Sequence, residues 1–413
     1  MLMKFKHIIK TILPEPVIQK YRTFQVRRNL PERARKAERQ DFVGVPAFDP
    51  GPEAAILANL SWIGRAQDCS ATADGGVSRH FSLVNGWGPS YPETTGYIVP
   101  TMLAEAKIQD DAALRRRAES MLDWLVAIQL PDGAFQGGLV TTKPVVPVTF
   151  NTGQILLGLA AGACASRKEN YLSAMHRAAT WLVETQDVDG CWRRFPAPST
   201  KIGEKAYETH VSWGLFEAER VSPGIGYGEA GLKQVHWSLT KQQDNGWFRD
   251  CCLNDPIRPL THTIGYALRG VLEAYRLSQD EVFFDAGVRT ADALIHCVKS
   301  DGFLAGRFNS HWRPVVDWVC LTGSVQIAYC WFLLFDWTGD TRYFDAGRKV
   351  NSYVRRTIAV KGDPDLVGGV RGSFPISGTY GNYEYLNWAA KFCIDSLRKE
   401  VELTEQGAGS FQD

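Results

Sequence analysis

Helical periodicity of apolar positions runs through most of the chain and defines two kinds of segment. In the first kind, large apolar residues and alanines recur every three or four residues while polar side chains occupy the other face, as in residues 112–129 and 168–186. Such amphipathic segments predict helices with one exposed face. The second kind is apolar on nearly all sides and rich in small residues, as in residues 151–163 and 321–337. A helix that is apolar all round is expected to be buried.

The two kinds of segment alternate six times, and each buried segment begins 55–61 residues after the previous one. The predicted pairs, exposed helix first, are 52–67 with 94–107, 112–129 with 151–163, 168–186 with 207–220, 227–243 with 262–278, 281–299 with 321–337, and 341–357 with 382–398. Six hairpins of nearly constant period predict an all-α fold, a closed (α/α)6 toroid with inner and outer rings of helices. An open solenoid is the structural alternative.

A tight turn follows each predicted outer helix. The six turns are Asp74-Gly75, Asp132-Gly133, Asp189-Gly190, Asn245-Gly246, Asp301-Gly302 and Gly368-Gly369. Asx-Gly supplies the positive φ that such a turn requires, and the aromatic residue that follows most of them is expected to pack the turn down. The sequence therefore predicts one toroidal domain over residues 46–400, preceded by a basic arm at 1–45 and followed by a polar tail at 401–413.

Composition narrows the class of protein. The 413 residues are 45% hydrophobic and 22% charged, which excludes disordered and collagen-like chains, and no run of eighteen apolar residues predicts a membrane span. The 13 Trp, 14 Tyr and 20 Phe suit a cleft for sugar rings. Nine scattered cysteines indicate a reducing, cytoplasmic location. Without an HExxH or paired CxxC motif we expect no metal and no cofactor.

Charge is concentrated near the start of the chain, where residues 1–40 carry eleven Lys and Arg against three Glu. Leu2, Phe5, Ile9 and Ile12 are spaced as one apolar helix face between lysines. This pattern predicts an amphipathic helix that lies on an anionic membrane, at the inner membrane, or that docks on a membrane-bound glycosyltransferase; a solvated tail is the alternative. The remaining chain is net negative, so a nucleic-acid partner is not expected.

In a toroid of this kind, the N-termini of all six inner helices converge on one bowl. Their free N–H groups and positive dipole ends favour an anion there. Arginines in the surrounding loops are expected to strengthen that field. They are Arg79, Arg193, Arg194, Arg249, Arg307, Arg313 and Arg371. The bowl is therefore predicted to bind an oligosaccharide or polysaccharide that carries negative charge.

Polar and aromatic residues at the starts of the inner helices are the candidate site. The candidate catalytic residues are Tyr91, Glu93, Glu208, His210, His262, Tyr266 and Tyr383. The candidate substrate-binding residues are Trp87, Tyr97, Asn151, Gln154, Trp213, Arg249, Arg313, Asp317, Tyr385 and Trp388. Glu93 and Glu208 have a structural alternative as helix-capping residues, whereas His210 and His262 occupy equivalent places in adjacent repeats.

Two sets of motifs in this sequence resemble those of known protein families. The pattern Gln-x-x-Asp-Gly-x-Phe/Trp at Gln129–Phe135 and Gln186–Trp192 resembles the aromatic-glycine repeat of terpenoid cyclase and protein prenyltransferase toroids. The cyclases' Asp-x-Asp-Asp motif is absent, and the prenyltransferase zinc ligands are incomplete because no His follows to join Asp317 and Cys320. Those activities are therefore not implied.

A resemblance that covers most of residues 50–400 rests on the segments Ser90–Leu103, Thr322–Ala328 and Gly372–Phe392. These are similar to toroidal proteins of bacterial exopolysaccharide and O-antigen loci, which implies a role in polysaccharide biosynthesis. More distantly, the architecture resembles α/α polysaccharide lyases and glucuronyl C5-epimerases. Enzymes of that type use Tyr, often with His, to move the C5 proton of a uronate while Asn or Arg neutralises its carboxylate.

The leading sequence hypothesis is an enzyme that abstracts the C5 proton of a uronate residue, as a lyase or an epimerase. Asn151 and Arg249 would neutralise the carboxylate, because an unneutralised carboxylate makes the carbanion costly. Tyr266, Tyr383 or Tyr91, with His210 and His262, would supply the acid and the base. One alternative is a glycoside hydrolase that uses a carboxylate pair, Glu93 with Glu208 or Asp317. The other is a glycan-binding subunit of an assembly complex without catalysis.

Overall fold

The computed structural model describes residues 29–409 except 167, 198–199 and 201–202. The predicted amphipathic stretch from Leu2 to Ile12 lies outside the described residues. A short helix, α1 (Glu32–Asp41), precedes the six predicted hairpins. It packs on the ring through its buried face, because Ala34 and Ala37 belong to the main hydrophobic core.

Twelve helices form the two rings, as the sequence predicts. The outer helices are α2 (Pro52–Asp68), α4 (Ala112–Ile128), α6 (Glu169–Thr185), α8 (Tyr227–Leu239), α10 (Glu281–Ile295) and α12 (Thr341–Arg355). The inner helices are α3 (Pro92–Ile108), α5 (Thr149–Ser166), α7 (Thr209–Val221), α9 (Thr261–Ser278), α11 (Leu321–Thr338) and α13 (Asn387–Gly409). The predicted outer segments 227–243 and 281–299 end earlier, at Leu239 and Ile295, because turns occupy the residues that follow.

The inner ring closes, which settles the choice between a toroid and an open solenoid. Each inner helix contacts the next, and α13 returns to contact α3. Each inner helix also packs on the outer helix that follows it in sequence, and α13 packs on α2 to complete the outer ring. The close hairpins therefore run from an inner helix to the next outer helix, with short connections at one end. The longer loops that carry the Asx-Gly turns lie at the other end.

Glycine permits the close approach of neighbouring inner helices. A Cβ atom added to Gly158 on α5 would lie 2.2 Å from the carbonyl oxygen of Gly96 on α3. The same relation recurs one step around the ring, where a Cβ on Gly214 would lie 2.4 Å from the oxygen of Gly153. The small residues that mark the inner segments in the sequence thus set the width of the inner ring.

The predicted turns have the expected geometry. All six turn glycines have positive φ, from 78° at Gly368 to 98° at Gly190. In the turns that begin with Asp or Asn, the first side chain accepts a backbone N–H two residues later, as Asp132 does from Ala134 at 3.2 Å. The aromatic residues Phe135, Trp192 and Trp247 that follow are buried. The predicted Asx-Gly turns are therefore confirmed.

Small strands tie the first loop to the last. Strand β1 (His80–Ser82) pairs with β2 (Gly86–Trp87) on one side and β5 (Glu384–Leu386) on the other, both antiparallel. Strands β3 (Val319–Cys320) and β4 (Ser373–Phe374) form a second antiparallel pair. Strand β5 occupies residues predicted to start the last helix, so α13 begins at Asn387. Of the helices that the structure describes, none is long and apolar enough to cross a membrane.

Candidate functional site

A cavity of about 570 Å³ opens where the inner helices begin. Helix α3 and the residue before it contribute Tyr91, Glu93 and Tyr97 to its wall. The other sides come from the starts of α5, α7, α9 and α13 and from their loops. The volume lies within the range of about 300–1,000 Å³ typical of small-molecule sites. The predicted bowl is therefore present as a pocket at the Asx-Gly end of the ring.

The structure brings eight of the predicted site residues together on this cavity. They are Tyr91, Glu93, Tyr97, Asn151, Glu208, His262, Tyr266 and Trp388. Their positions follow from the helix starts: Pro92 opens α3, where its missing N–H costs nothing, and a three-residue 3₁₀ turn, Ala206–Glu208, leads into α7. Buried and partly buried side chains thus converge from the starts of five inner helices.

The other predicted residues lie elsewhere. His210 and Gln154 are buried beneath the cavity floor, and Trp213 packs against the Arg269 guanidinium, 4.0 Å from its ring centroid. Trp87 donates a hydrogen bond to Asp365 at 3.0 Å, outside the cavity. The remaining members of the set do not line it either. Tyr383 and Tyr385 are buried in the last loop, and Arg249, Arg313 and Asp317 are exposed.

Glu93 is a carboxyl group that is hydrogen-bonded to one of the cavity's tyrosines. Its Oε2 accepts a 2.7 Å hydrogen bond from the hydroxyl of Tyr91. Burial raises the pKa of Glu93 to about 7, although the Tyr91 hydroxyl and the Arg79 charge oppose the shift. A carboxyl with such a pKa exchanges its proton near neutral pH, as a catalytic acid or base must.

Glu208 is a second buried carboxyl on the same cavity. Burial raises its pKa to about 8, with only the charge of Lys205 acting in the opposite direction. Its Oε2 accepts no hydrogen bond from any described residue. Glu208 is therefore protonated at neutral pH and carries a proton that it can donate into the cavity. The two carboxyl groups differ in environment, since only Glu93 has a hydroxyl donor.

The floor of the cavity is an aromatic cluster centred on Tyr266. The rings of His210 and His262 each lie 4.3 Å from the Tyr266 ring, centroid to centroid. Phe150 packs edge-on against Tyr266 at 5.2 Å. Burial raises the pKa of the Tyr97 and Tyr266 phenols well above the ordinary value. Tyr266 is therefore held in its neutral form.

Each histidine is oriented by a glutamine of a neighbouring helix. His262 and Gln326 join Nδ1 to Oε1 at 2.7 Å, and His210 and Gln154 do so at 2.6 Å. An amide oxygen only accepts, so each Nδ1 carries the proton and each Nε2 is left with a lone pair. Burial lowers the pKa of His262 to about 4, which makes it a neutral imidazole at physiological pH.

The rim carries a polar network that connects the first and last loops. Arg79 binds Glu384 at 2.8 Å and lies 5.1 Å from the ring centroid of Trp388. The indole of Trp388 donates to the Tyr380 hydroxyl at 2.8 Å. Among the described residues, Arg79 and Lys205 are the cations that line the cavity. Other arginines expected there bind loop groups instead, as Arg193 does with Asp189.

Several cavity residues were not among the predicted candidates. They are His80, Thr94, Phe150, Lys205, Tyr207, Asn254 and Tyr380, together with small and apolar loop residues, whereas Arg79 was predicted as one of the loop arginines around the bowl. Phe150 and Tyr207 stand beside predicted residues at inner-helix starts, so their position in the repeat was a usable signal. Tyr380 and Asn254 come from long loops, whose paths the helical period does not determine. No group of three or more His, Cys, Asp or Glu side chains in the described part of the chain is arranged to hold a metal.

Comparison with known proteins identifies the fold. No protein-family model matches the chain, and no curated protein sequence does. Among solved structures, an unsaturated glucuronyl hydrolase specific for heparin aligns with a TM-score of 0.69 at 14% identity, over 86% of this chain and 98% of its own. At this identity the likeness defines the class by fold alone: the chain is an (α/α)6 toroid.

Two further structures share the architecture. The cellobiose 2-epimerase of Bacillus thermoamylovorans aligns with a TM-score of 0.63 at 11% identity, over 82% of this chain and 95% of its own. The α-mannanase of Bacteroides thetaiotaomicron aligns with a TM-score of 0.60 at 12% identity, over 86% of this chain and 97% of its own. The chain thus spans nearly the full length of each of these toroids.

Proposed function

We propose that this protein is a carbohydrate-active enzyme whose reaction takes place in the cavity between Glu93 and Glu208. The toroids that it resembles are named for reactions on glucuronyl, cellobiose and mannan substrates. The resemblance of segments such as Ser90–Leu103 to proteins of exopolysaccharide loci also favours a glycan substrate. An aromatic-lined pocket with a few convergent polar groups fits a sugar, because the rings cover its apolar faces and the polar groups bind its hydroxyls.

The reaction that the geometry supports best is hydrolysis of a glycosidic bond. The carrying observation is that two buried carboxyl groups with raised pKa values line one cavity. Glu208, with the higher pKa of about 8, would give its proton to the glycosidic oxygen as the bond to the anomeric carbon breaks. Glu93, whose carboxylate form the Tyr91 hydroxyl stabilises, would act as base toward water or as nucleophile.

The cavity cations favour a substrate that carries a carboxylate. Arg79 and Lys205 both line the pocket, and Asn151 adds a buried amide. A uronate or another acidic sugar would place its carboxylate near these groups, where charge-assisted hydrogen bonds are strong. The substrate class that we propose is therefore an acidic oligosaccharide, in a polysaccharide biosynthesis or modification pathway.

Removal of the C5 proton of a uronate, as in a lyase or an epimerase, is a second candidate reaction. The observation that favours it is the neutral His262, whose Nδ1 proton is held by Gln326 and whose side chain lines the cavity. His262 would take the proton through Nε2, and the cavity cations would neutralise the carboxylate. A tyrosinate base is less favourable because burial raises the pKa of Tyr266.

One experiment separates these reactions. The purified protein is incubated with a panel of uronate-containing and neutral oligosaccharides in heavy water, and proton NMR follows the H5 and anomeric signals. New reducing ends with intact H5 signals are the result expected for hydrolysis. Loss of H5 intensity or a new unsaturated uronate would instead establish proton abstraction. Substrate binding without either change would contradict catalysis and leave a glycan-binding subunit.

Matched variants assign the residues. Glu208→Gln and Glu93→Gln are each expected to lower turnover by about 10²–10⁴-fold, the usual contribution of a general acid or base. Glu281→Gln removes an exposed carboxyl from the first turn of outer helix α10 and should leave turnover unchanged. Full activity in both cavity variants would overturn the carboxyl-pair mechanism. Full activity in His262→Gln would overturn the proton-abstraction alternative.

A further inference from the structure

A short surface loop carries an unusual set of exposed apolar side chains. Phe42, Val43 and Phe48 have 66%, 91% and 70% of their surface exposed, respectively. Among the Phe, Tyr and Trp residues in the described part of the chain, only Phe42 and Phe48 are exposed. We call residues 42–48 the apolar loop. It follows α1 and precedes the first outer helix, and none of its residues lines the cavity.

The apolar loop is held firmly at both of its ends. On one side, Asp41 is buried, forms an ion pair with Arg371 and accepts the backbone N–H of Ile376 at 2.8 Å. On the other side, Asp49 binds the Arg355 guanidinium at 2.9 Å and Ser352 at 2.8 Å.

Between these two anchors, Val45 packs on the main hydrophobic core. The loop therefore has three fixed points, and Phe42, Val43 and Phe48 project from the segments between them. An arrangement that is already ordered binds without a further cost in loop entropy.

Lysine and arginine side chains lie on helix α1, which directly precedes the apolar loop. On α1, Lys36 and Arg39 are exposed, although Arg39 also pairs with Glu32, and the guanidinium of Arg33 donates to the Leu83 carbonyl oxygen at 2.6 Å. Residues 1–28, which precede this helix, contain seven Lys and Arg against one Glu. The rest of the chain has a net negative charge, so the excess of positive over negative residues is found in the segment that leads into the apolar loop.

We propose that the apolar loop docks this enzyme on an anionic lipid surface. Phenylalanine and valine side chains that project from a fixed loop can enter the boundary between headgroups and acyl chains, while nearby lysines and arginines bind anionic headgroups. Neither signal alone gives stable attachment, and this region of the chain supplies both. A protein partner is less well matched, because the exposed side chains form a small projection without the extended surface of a standard interface.

The test is co-sedimentation of the full-length protein with phosphatidylcholine vesicles that either contain or lack phosphatidylglycerol. The wild-type protein is expected to sediment with the anionic vesicles and to be released by high salt. The variant Phe42→Ser/Val43→Ser/Phe48→Ser should bind them at least about tenfold more weakly, because burial of three apolar side chains is lost. As a matched control, Val188→Ser/Ile257→Ser alters two exposed apolar residues far along the chain, at 94% and 71% exposure, and should bind normally.

Several results of this experiment would overturn the proposal. Failure of the wild type to bind anionic vesicles, or equal binding by the triple variant, overturns the proposal. If full-length Lys4→Gln/Lys6→Gln/Lys10→Gln abolishes binding while the triple loop variant retains it, the basic segment acts alone and the loop proposal fails. A change of oligomeric state in the triple variant would show that a second copy covers the loop. Circular dichroism checks that the triple variant is folded. Its turnover on soluble oligosaccharides is expected to be unchanged, so loss of vesicle binding can be distinguished from failure of the proposed reaction.

Discussion

The hydroxyl of Tyr91 donates a 2.7 Å hydrogen bond to Oε2 of Glu93, two residues further along the same helix start. This contact lowers the pKa of Glu93 and partly offsets the effect of burial, which dominates and raises it to about 7. Glu208 has no such donor at its Oε2, and its pKa is about 8. The Tyr91 hydroxyl and the charge of Arg79 both favour the ionised form of Glu93, so we expect Glu93 to ionise before Glu208.

Tyr91→Phe is expected to move the acidic limb of the pH–activity profile to higher pH. In the wild type, ionised Glu93 and protonated Glu208 coexist best between about pH 7 and pH 8, so the optimum should lie there. Loss of the Tyr91 donor raises the pKa of Glu93, so less of its carboxylate remains at low pH. Turnover should fall about tenfold at pH 6 and much less at pH 8. The profile is measured as kcat/KM against pH.

The control for this variant is Tyr343→Phe. The Tyr343 hydroxyl also donates to a carboxylate, that of Asp292 at 2.8 Å, but on the outer ring. Its loss should leave the pH profile in place. An equal drop in Tyr91→Phe turnover at every pH would show that Tyr91 binds substrate without tuning Glu93.

Glu208→Gln should stabilise the folded protein at high pH. The pKa of Glu208 is raised from 4.5 to about 8, so its contribution to stability is full below pH 4.5 and is lost as pH rises from 4.5 to about 8. Above that range the wild type must bury a carboxylate, whereas glutamine remains neutral. We expect a gain on the order of 2–4 kcal/mol at pH 9 and almost none at pH 4.5. Urea unfolding at the two pH values measures it.

Glu105→Gln is the control for this measurement, and we expect it to change the free energy of unfolding in the opposite direction. Glu105 is buried too, but it forms an ion pair with Arg398 at 2.8 Å. Its replacement leaves the largely buried Arg398 guanidinium with Glu53 as its acidic partner and removes the ion pair with the fully buried Glu105, so it should destabilise the protein at both pH values. If Glu208→Gln were also destabilising at pH 9, the raised pKa of Glu208 and its role as acid would both be untenable.

The sequence was sufficient to predict the architecture. Helical periodicity separated the amphipathic outer helices from the uniformly apolar inner helices, and the six turn glycines marked the loops at positive φ. The ends of helices were predicted less well. Residues 382–386 read as helix in the sequence but pair with the first loop instead, as in the contact of Tyr385 with Phe81 across β1 and β5. Such pairing joins residues some 300 positions apart, which no local pattern encodes.

The sequence predicted the end of the ring where the cavity lies and some of the residues that line it. Glu93, Glu208 and His262 were found because chemistry-bearing residues recur where inner helices begin. The repeat of helices in the sequence does not show, however, in which direction each side chain points. His210 and His262 hold equivalent positions, yet only His262 reaches the cavity while His210 packs beneath Tyr266. Most of the predicted loop arginines do not line the cavity. Arg193, for example, forms ion pairs with Asp187 and Asp189 of its own loop.

Gly158→Ala is expected to destabilise the ring. The added Cβ would lie 2.2 Å from the backbone oxygen of Gly96, so two inner helices would have to separate. Overpacking against rigid backbone should cost about 3 kcal/mol, measured as a change in the free energy of unfolding in urea. Gly228→Ala is the matched control, because its Cβ meets only the side chains of Glu219 and Leu277, at 3.0–3.5 Å. Similar stability of both variants would mean that the inner ring tolerates expansion.

Gln326→Glu tests how His262 is held and which reaction uses it. Burial keeps the pKa of His262 at about 4, and its Nδ1 proton is donated to the Gln326 oxygen at 2.7 Å. A carboxylate in place of that amide stabilises the imidazolium and must raise the pKa of His262. NMR of the imidazole Cε1–H signals should show a wild-type His262 that does not titrate between pH 5.5 and 8.5. In the variant, proton uptake should enter that range, whereas Gln154→Glu should affect His210 instead.

The activity of Gln326→Glu then distinguishes the two candidate reactions. If neutral His262 is the base that removes a C5 proton, a raised pKa leaves more of it protonated, so turnover at pH 6 should fall about tenfold and recover as pH rises. If Glu93 and Glu208 carry out hydrolysis, His262 does not transfer a proton, and the shape of the pH profile should match the wild type. A raised pKa of His262 with an unchanged profile would therefore exclude His262 as the base and leave the carboxyl pair as the reacting groups.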